Sequence, residues 1–294
     1  MATTVNQAFQ EFKARLEITG LQTSTVSTRQ NSVRAVVATG MDVADSFLGG
    51  SYSRSTLISP LSEADVDVFF VLNSKYFHHY NSGQNGGQAG LLDLLKRTLL
   101  KTYTRTPDIS RNGQAVTIRF EDFAVDVVPA FHRQGGGFLI PNSIAKSWLS
   151  TDPKKHIEIL AAANEAHNGN LVPMIKMIKA WNRSLNRHFR SFHLEVLALA
   201  IYSNVTISNY WSGMRYFLDK GRALIATKNA DPAGYGDDVG SYISGQTQIN
   251  DAVGKFQVDY ERALKAEHYA SQDEIANAIA MWRKVFSNPF PAYG

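Results

Sequence analysis

The chain has no cysteine, which excludes a disulfide framework and any thiolate metal site and makes a reducing cytosol no obstacle. Long apolar runs are missing as well. The longest, near Val196 to Tyr202, is far shorter than the roughly 20 residues a bilayer-spanning helix needs, and the opening MATTVNQAFQEFKARLEI lacks the apolar core of a secretory signal. A soluble, cytoplasmic protein without a membrane partner is expected. Charge of one sign is scarce: 30 Lys and Arg against 26 Asp and Glu leave a formal net charge of +4. Lys154, Lys155, Arg183, Arg187 and Arg190 are scattered among polar and apolar residues rather than gathered in a dense basic run, the usual pattern of a solvated helix face. That suits small polyanionic substrates better than a stably bound long nucleic acid. His78, His79, His156, His188 and His193 show no metal-ligand spacing, and there are no internal repeats.

What is present is a set of acids in strand-like text. Val66, Val68, Phe69, Phe70, Val71 and Leu72 read as a buried strand, interrupted by Asp65 and Asp67. Alternation along a strand puts both carboxylates on one face, and burying two negative charges there is strongly unfavourable without a cation. Oxygen-only ligation by paired carboxylates suits Mg²⁺ or Mn²⁺ rather than zinc. Asp126, flanked by Val125, Val127 and Val128, is a third charge inside an apolar strand and could aim at the same spot. Three such acids can hold two ions about 3.5 to 4 Å apart for an in-line phosphoryl displacement, and Asp126 could accept the proton of an attacking hydroxyl. Gly50 and Ser51 precede the first strand. A glycine there lets backbone N–H groups approach a triphosphate, and the Ser51 hydroxyl can bond a phosphate oxygen. An isolated D-x-D is common on strand edges, and an isolated Gly-Ser pair is commoner. It is their order, turn then strand then later strand, that points to nucleotide transfer.

The remaining text orders the chain. With 44% apolar residues it can bury a sizeable core in one bilobal unit. Phe9, Phe12 and Leu16 recur at helical spacing, and Val33 to Val37 continue a second helix before Gly40. Residues 81–90, rich in glycine, read as a flexible loop without a Walker ending, and 91–100 as an amphipathic helix. Beyond Gly135-Gly136-Gly137 the spacing predicts helices over 153–166, 173–185, 192–204, 210–225 and 271–286. The expected lobes are a catalytic sheet lobe with the N-terminal helices (1–150) and a helical nucleotide-binding lobe (151–294), with nucleotides in a cleft between them. Trp148, Trp181, Trp211 and Trp282 are expected to anchor the helical core. Lys176 and Lys179, three apart, share a helix side and either could reach a triphosphate, although a solvated pair is the ordinary reading. Ser191 stands at a helix start, where an N-cap contributes about 1 kcal/mol and free N–H groups also attract anions.

These residues resemble the nucleotidyltransferases of the DNA polymerase β type, and among them the bacterial cGAS-like nucleotidyltransferases (CD-NTases). The matching text is Gly50-Ser51-Tyr52-Ser53-Arg54-Ser55-Thr56, Pro60-Leu61, Asp65-Val66-Asp67-Val68 and Asp126-Val127-Val128-Pro129. Downstream, Ile140-Pro141 through Trp148, Asp152-Pro153 and His156 resemble the entry into the helical lobe. Lys176 to Trp181 and Ser191 to Glu195 resemble a second nucleotide-binding segment, and Trp282 to Pro291 resembles the ends of bacterial members. Many relatives have a Lys-Gly-Thr-like run where this chain has Arg54-Ser55-Thr56. The resemblance implies a mixed α/β, polymerase β-like fold with a sheet lobe and a helical lobe. It also implies catalysis by Asp65, Asp67 and Asp126 with two Mg²⁺ or Mn²⁺ ions. Gly50, Ser51, Lys179, then Lys176, and Ser191 would contact nucleotide phosphates. Phe192 would stack on a base, a core phenylalanine being the alternative. The implied substrates are ribonucleoside triphosphates, ATP among them, and the product a cyclic di- or trinucleotide second messenger that activates a separate effector in CBASS anti-phage defence. A regulatory partner, conjugating through Gly294 or of HORMA type, is implied too. Two alternatives stay open: transfer of one nucleotide to a protein, small-molecule or RNA acceptor, and a sensor whose chemistry has lapsed.

Overall fold

In a computed structural model that describes residues 2–104 and 108–294, the chain opens with helices α1 (Val5–Leu16) and α2 (Gly20–Gly40). There follow β1 (Val43–Leu48), the single turn α3 (Gly50–Ser53), β2 (Asp65–Leu72), α4 (Ser74–Tyr80) and α5 (Gly87–Leu100). Strands β3 (Asp108–Arg111), β4 (Val116–Arg119), β5 (Ala124–His132), β6 (Phe138–Asn142) and β7 (Ser147–Thr151) come next. The rest is helical: α6 (Pro153–Ala166), α7 (Leu171–Ser184), α8 (Ser191–Tyr202), α9 (Tyr210–Leu224), α10 (Gln246–Ser271) and α11 (Ile275–Phe286).

These elements form two units, one of Ile18–Glu158 and one of Met1–Glu17 with Ile159–Gly294. Helix α1, expected with the sheet lobe, thus groups with the C-terminal helices. The reason is aromatic packing: the Phe9 ring meets Trp282 and Phe290 edge-on at 5.0 Å each, and Phe12 meets Phe286 at 4.6 Å. Such pairs add about 0.5–1.5 kcal/mol each beyond the area they bury.

The sheet unit is built on the strand order β1-β2-β5-β4-β3, with β6 continuing from β5 and β7 pairing β6. Strands β2 and β5 run parallel; β1–β2, β4–β5 and β3–β4 are antiparallel. A parallel pair needs a long crossover, and α4, α5 and the β3–β4 hairpin supply it. Val66, Val68, Phe70 and Leu72 of β2 pack with Val33 and Val37 of α2 and with Leu92, Leu95 and Leu99 of α5. Phe69 and Val71 point the other way, against Val128, Ala130, Phe138 and Ile140. Cover on both faces explains why β2 reads as a nearly continuous apolar run. Thr19 and Gln22 close a capping box at the start of α2, a device that contributes about 1 kcal/mol.

Two expectations are corrected here. Residues 81–90 are not a flexible loop: a 3-10 turn over Asn81–Gly86 leads directly into α5. Gly86 and Gly87 take φ of 83° and 59°, and a Cβ on Gly90 would stand 2.1 Å from the Asn85 carbonyl. The glycines serve a tight connection rather than mobility. Trp148 lies on β7, not in the helical lobe. Its ring packs at 5.1 Å from Phe77 and 5.4 Å from Phe131, and its indole N–H donates to Asn81 Oδ1 at 3.1 Å. Ile140 and Pro141 lie on β6, and β7 leads from there into α6 at Pro153.

In the helical unit, Trp181 of α7 is fully buried and packs against Phe189 and Phe256, while its N–H donates to Asp259 Oδ2 at 2.8 Å. Helix α10 was not foreseen from the sequence. Its buried stripe is Ala252, Phe256, Asp259, Ala263 and Ala266, helical in spacing but made mostly of small or polar residues, so the apolar signal is weak. Small residues are used because the helices approach closely: a Cβ on Gly221 of α9 would stand 2.2 Å from the Phe256 ring. Among the described residues no helix is long and apolar enough to cross a membrane.

Candidate active site

The β2–β5 register sets Asp67 directly opposite Asp126. In a parallel pair such partners point to the same face, about 4.8 Å apart between strands, and Asp65 joins that face by alternation. It is the face of Phe69, Val71, Val128 and Ala130, the opposite of the one covered by α2 and α5. The acids occupy its open end. Asp65 is exposed and Asp67 and Asp126 are half-buried, so the pair expected as buried in β2 is partly open to solvent, and its charges are less costly than the sequence suggested.

Gly50 lies against Asp67. It takes φ of 63°, and a Cβ there would stand 1.7 Å from Asp67 Oδ2. The Gly49 N–H donates to the Asp67 carbonyl at 2.9 Å, fastening the turn to β2. The turn is closed by the N–H groups of Thr56 and Leu57, which donate to the Ser51 carbonyl at 2.9 and 3.1 Å, and by the Ser53 hydroxyl, which donates to the Gly49 carbonyl at 2.9 Å. Gly50, Ser51, Asp65, Asp67 and Asp126 are therefore gathered by the β2–β5 pair and the turn before it.

Two further residues belong to this cluster and were missed from the sequence. Thr117, opposite Asp126 on β4, donates to Asp126 Oδ1 at 2.5 Å. Asn112 places its side-chain amide 3.4 Å from both Asp126 oxygens. The available signal was the polar Thr117 between Val116 and Ile118, the same kind of interruption that marks the aspartates.

No group of three or more His, Cys, Asp or Glu side chains among the described residues is set to hold a metal ion as it stands. The three carboxylates share a face without closing a shell. Their chemistry nevertheless fits a hard divalent cation: oxygen donors only, on adjacent strands, with room for water and substrate oxygens to complete the coordination.

The second set of expected site residues lies in the helical unit, on α7 and α8. Lys179 Nζ is 2.9 Å from Glu195 Oε1, both side chains almost wholly buried. Lys176 Nζ is 2.5 Å from Glu17 Oε2. Neither is the solvated lysine of the ordinary reading; each ties elements together. Ser191 is the first residue of α8 and exposed, with Arg190 in the cap position and making no side-chain capping hydrogen bond, so Ser191 is not the N-cap the sequence suggested. Phe192 is half-buried. Just inside the helix, His193 is fully buried, and burial presses its imidazole down to about 4. Its Nδ1 lies 3.1 Å from the Tyr242 hydroxyl, which also accepts from the Arg190 N–H at 3.0 Å.

Comparison with known proteins follows the same lines. Residues 3–164 match the family model of the Second Messenger Oligonucleotide or Dinucleotide Synthetase domain, SMODS. The chain is 27% identical over 309 aligned positions to the cyclic AMP-AMP-AMP synthase of an Acinetobacter species, covering 98% of this chain and 86% of that protein. Among solved structures, E. coli CdnC with ATP matches with a TM-score of 0.76 at 18% identity, covering 98% of this chain and 99% of CdnC. CdnC in complex with HORMA-deltaN matches with a TM-score of 0.75 at 18% identity over 98% of each chain.

Proposed function

The chain belongs to the Second Messenger Oligonucleotide or Dinucleotide Synthetase family, and from that premise we propose that it joins ribonucleoside triphosphates, ATP among them, into a cyclic di- or trinucleotide. It is an enzyme, a nucleotidyltransferase of the polymerase β-like fold that the sequence resemblance implied. The observation that carries the reading is the pairing of Asp67 with Asp126 across parallel strands with the Gly50 turn against Asp67.

In each transfer a ribose hydroxyl oxygen forms a bond to an α-phosphorus as the bond to the β-phosphate bridging oxygen breaks. The electron pair leaves with pyrophosphate, and the hydroxyl proton passes to Asp126. Asp65, Asp67 and Asp126 would hold two Mg²⁺ or Mn²⁺ ions, which when bound supply charge stabilisation to the attacking and leaving oxygens. Gly50 and Ser51 bring the triphosphate to Asp67 through backbone N–H groups and the Ser51 hydroxyl. Lys179, Lys176, Ser191 and Phe192 are proposed to contact a nucleotide from α7 and α8, the lysines only after exchanging their carboxylate partners. The Acinetobacter relative makes cyclic AMP-AMP-AMP by name, which favours adenine. CdnC has been solved with HORMA-deltaN, which favours a HORMA-type regulatory partner over conjugation. The setting would be cytoplasmic CBASS signalling to a separate effector.

The test is incubation of the purified protein and of an Asp65→Ala, Asp67→Ala variant with the four ribonucleoside triphosphates and Mg²⁺ or Mn²⁺. Phosphatase-resistant products are then resolved by mass spectrometry. A cyclic product lost in the variant is expected. Transfer to an added acceptor without any cyclic product would replace this reading with single-nucleotide transfer.

A further inference from the structure

Asp126 has a directed hydrogen-bond chain behind it. Thr117 is 4% exposed, and its Oγ1 lies 2.5 Å from Asp126 Oδ1. Asn112 Nδ2 lies 3.0 Å from Thr117 Oγ1. The orientation of the Asn112 side-chain amide is fixed by backbone: its Oδ1 accepts the Ala115 N–H at 3.0 Å, while the Asn112 backbone N–H donates to the Ala115 carbonyl at 3.1 Å. The amide nitrogen must therefore face the threonine. A hydroxyl has a single proton; receiving the Asn112 N–H on a lone pair, Thr117 turns that proton to the carboxylate, which only accepts when ionised. The direction runs from the Ala115 N–H through Asn112 and Thr117 to Asp126 Oδ1. Successive donors polarise one another, and a hydrogen bond to an ionised acceptor is about twice as strong as a neutral one.

We infer that Thr117 and Asn112 are positioning residues for nucleotide transfer: they commit Asp126 Oδ1 to the protein and leave Oδ2 as the oxygen that receives the ribose proton. Among the described residues, Oδ2 takes the long 3.4 Å contact from Asn112. The sheet does not need this hydroxyl. Thr117 stands between Val116 and Ile118, and a valine would fill the same volume in β4. Nor does the hairpin need the Asn112 amide nitrogen, because its turn is closed through the carbonyl oxygen. Without the chain, Asp126 is free to rotate about its side-chain bonds and to present either oxygen or neither.

This inference rests on the synthase reading, and the experiment separates the two. Thr117→Val, Thr117→Ser and the wild-type protein are compared for pyrophosphate release from ATP, melting temperature and the crystallographic rotamer of Asp126. Loss of an outer hydrogen-bond partner of this kind lowers activity by about 10- to 100-fold. The expected result is that loss in kcat for Thr117→Val, with KM within about threefold, as for an interaction made in the transition state. Thr117→Ser recovers most of the rate. Thr117→Val at the wild-type rate, a loss confined to KM, or Thr117→Ser as impaired as Thr117→Val would each overturn the inference. Wild-type protein without product from any ribonucleoside triphosphate overturns the synthase reading instead. The Asp126 rotamer in Thr117→Val then decides: displaced, it supports the positioning role; unchanged, it overturns it.

Discussion

Gly50→Ala adds one methyl group where the turn before β2 touches the acid cluster. Two effects add. Gly50 has φ of 63°, a conformation that costs a residue with a Cβ about 1–2 kcal/mol. The new carbon would stand 1.7 Å from Asp67 Oδ2, roughly half a van der Waals separation, so either the carboxylate or the turn must move by more than 1 Å. The Gly49 N–H bond to the Asp67 carbonyl holds the turn in place, so the carboxylate yields first. The backbone term corresponds to a fall in melting temperature of about 2–8 °C for a domain of this size. A misplacement of about 1 Å at a reacting centre lowers the rate by about 100-fold, and that loss should exceed anything the small stability change produces. Pyrophosphate release from ATP, measured well below the melting temperature, and differential scanning calorimetry read the two effects apart. A folded Gly50→Ala protein within about threefold of wild-type kcat would refute the claim that this turn and Asp67 form one piece of machinery.

Two other outcomes are expected. Lys179→Ala removes the ammonium that lies 2.9 Å from the buried Glu195 carboxylate, which should cost about 3–5 kcal/mol in urea unfolding, whereas Lys179→Met with Glu195→Leu should restore stability; if that double variant also restores wild-type KM for ATP, Lys179 has no phosphate role. His193, pressed from its ordinary 6.5 to about 4 by burial, is neutral in the folded protein and charges more readily unfolded. Its contribution is present above pH 6.5 and is lost as pH falls from there to about 4, a difference of about 3 kcal/mol. Asp259, whose carboxyl burial pushes up, works in the opposite sense, so the measurement compares urea unfolding of wild type and His193→Gln across that range. A slope unchanged by the substitution would refute it.

Local chemistry was legible in the sequence because it is local. Period-two aspartates in an apolar run identified β2, a glycine break identified the turn, and helical spacing located α6 over the residues it occupies, 153–166. Where local signal was diluted the reading failed: α10 buries mostly alanine and aspartate, and the glycines of 81–90 suggested mobility where they permit close packing. Residues that must agree across distance in the chain were decided only by tertiary structure. The register that sets Asp67 against Asp126 and the union of α1 with α11 join segments far apart in sequence, and the Asn112 and Thr117 chain behind Asp126 and the burial of Lys179 with Glu195 join separate elements nearer in the chain. Periodicity fixes which face of a strand or helix a side chain takes; which partner stands on the other side depends on long-range pairing, settled by packing of the whole core.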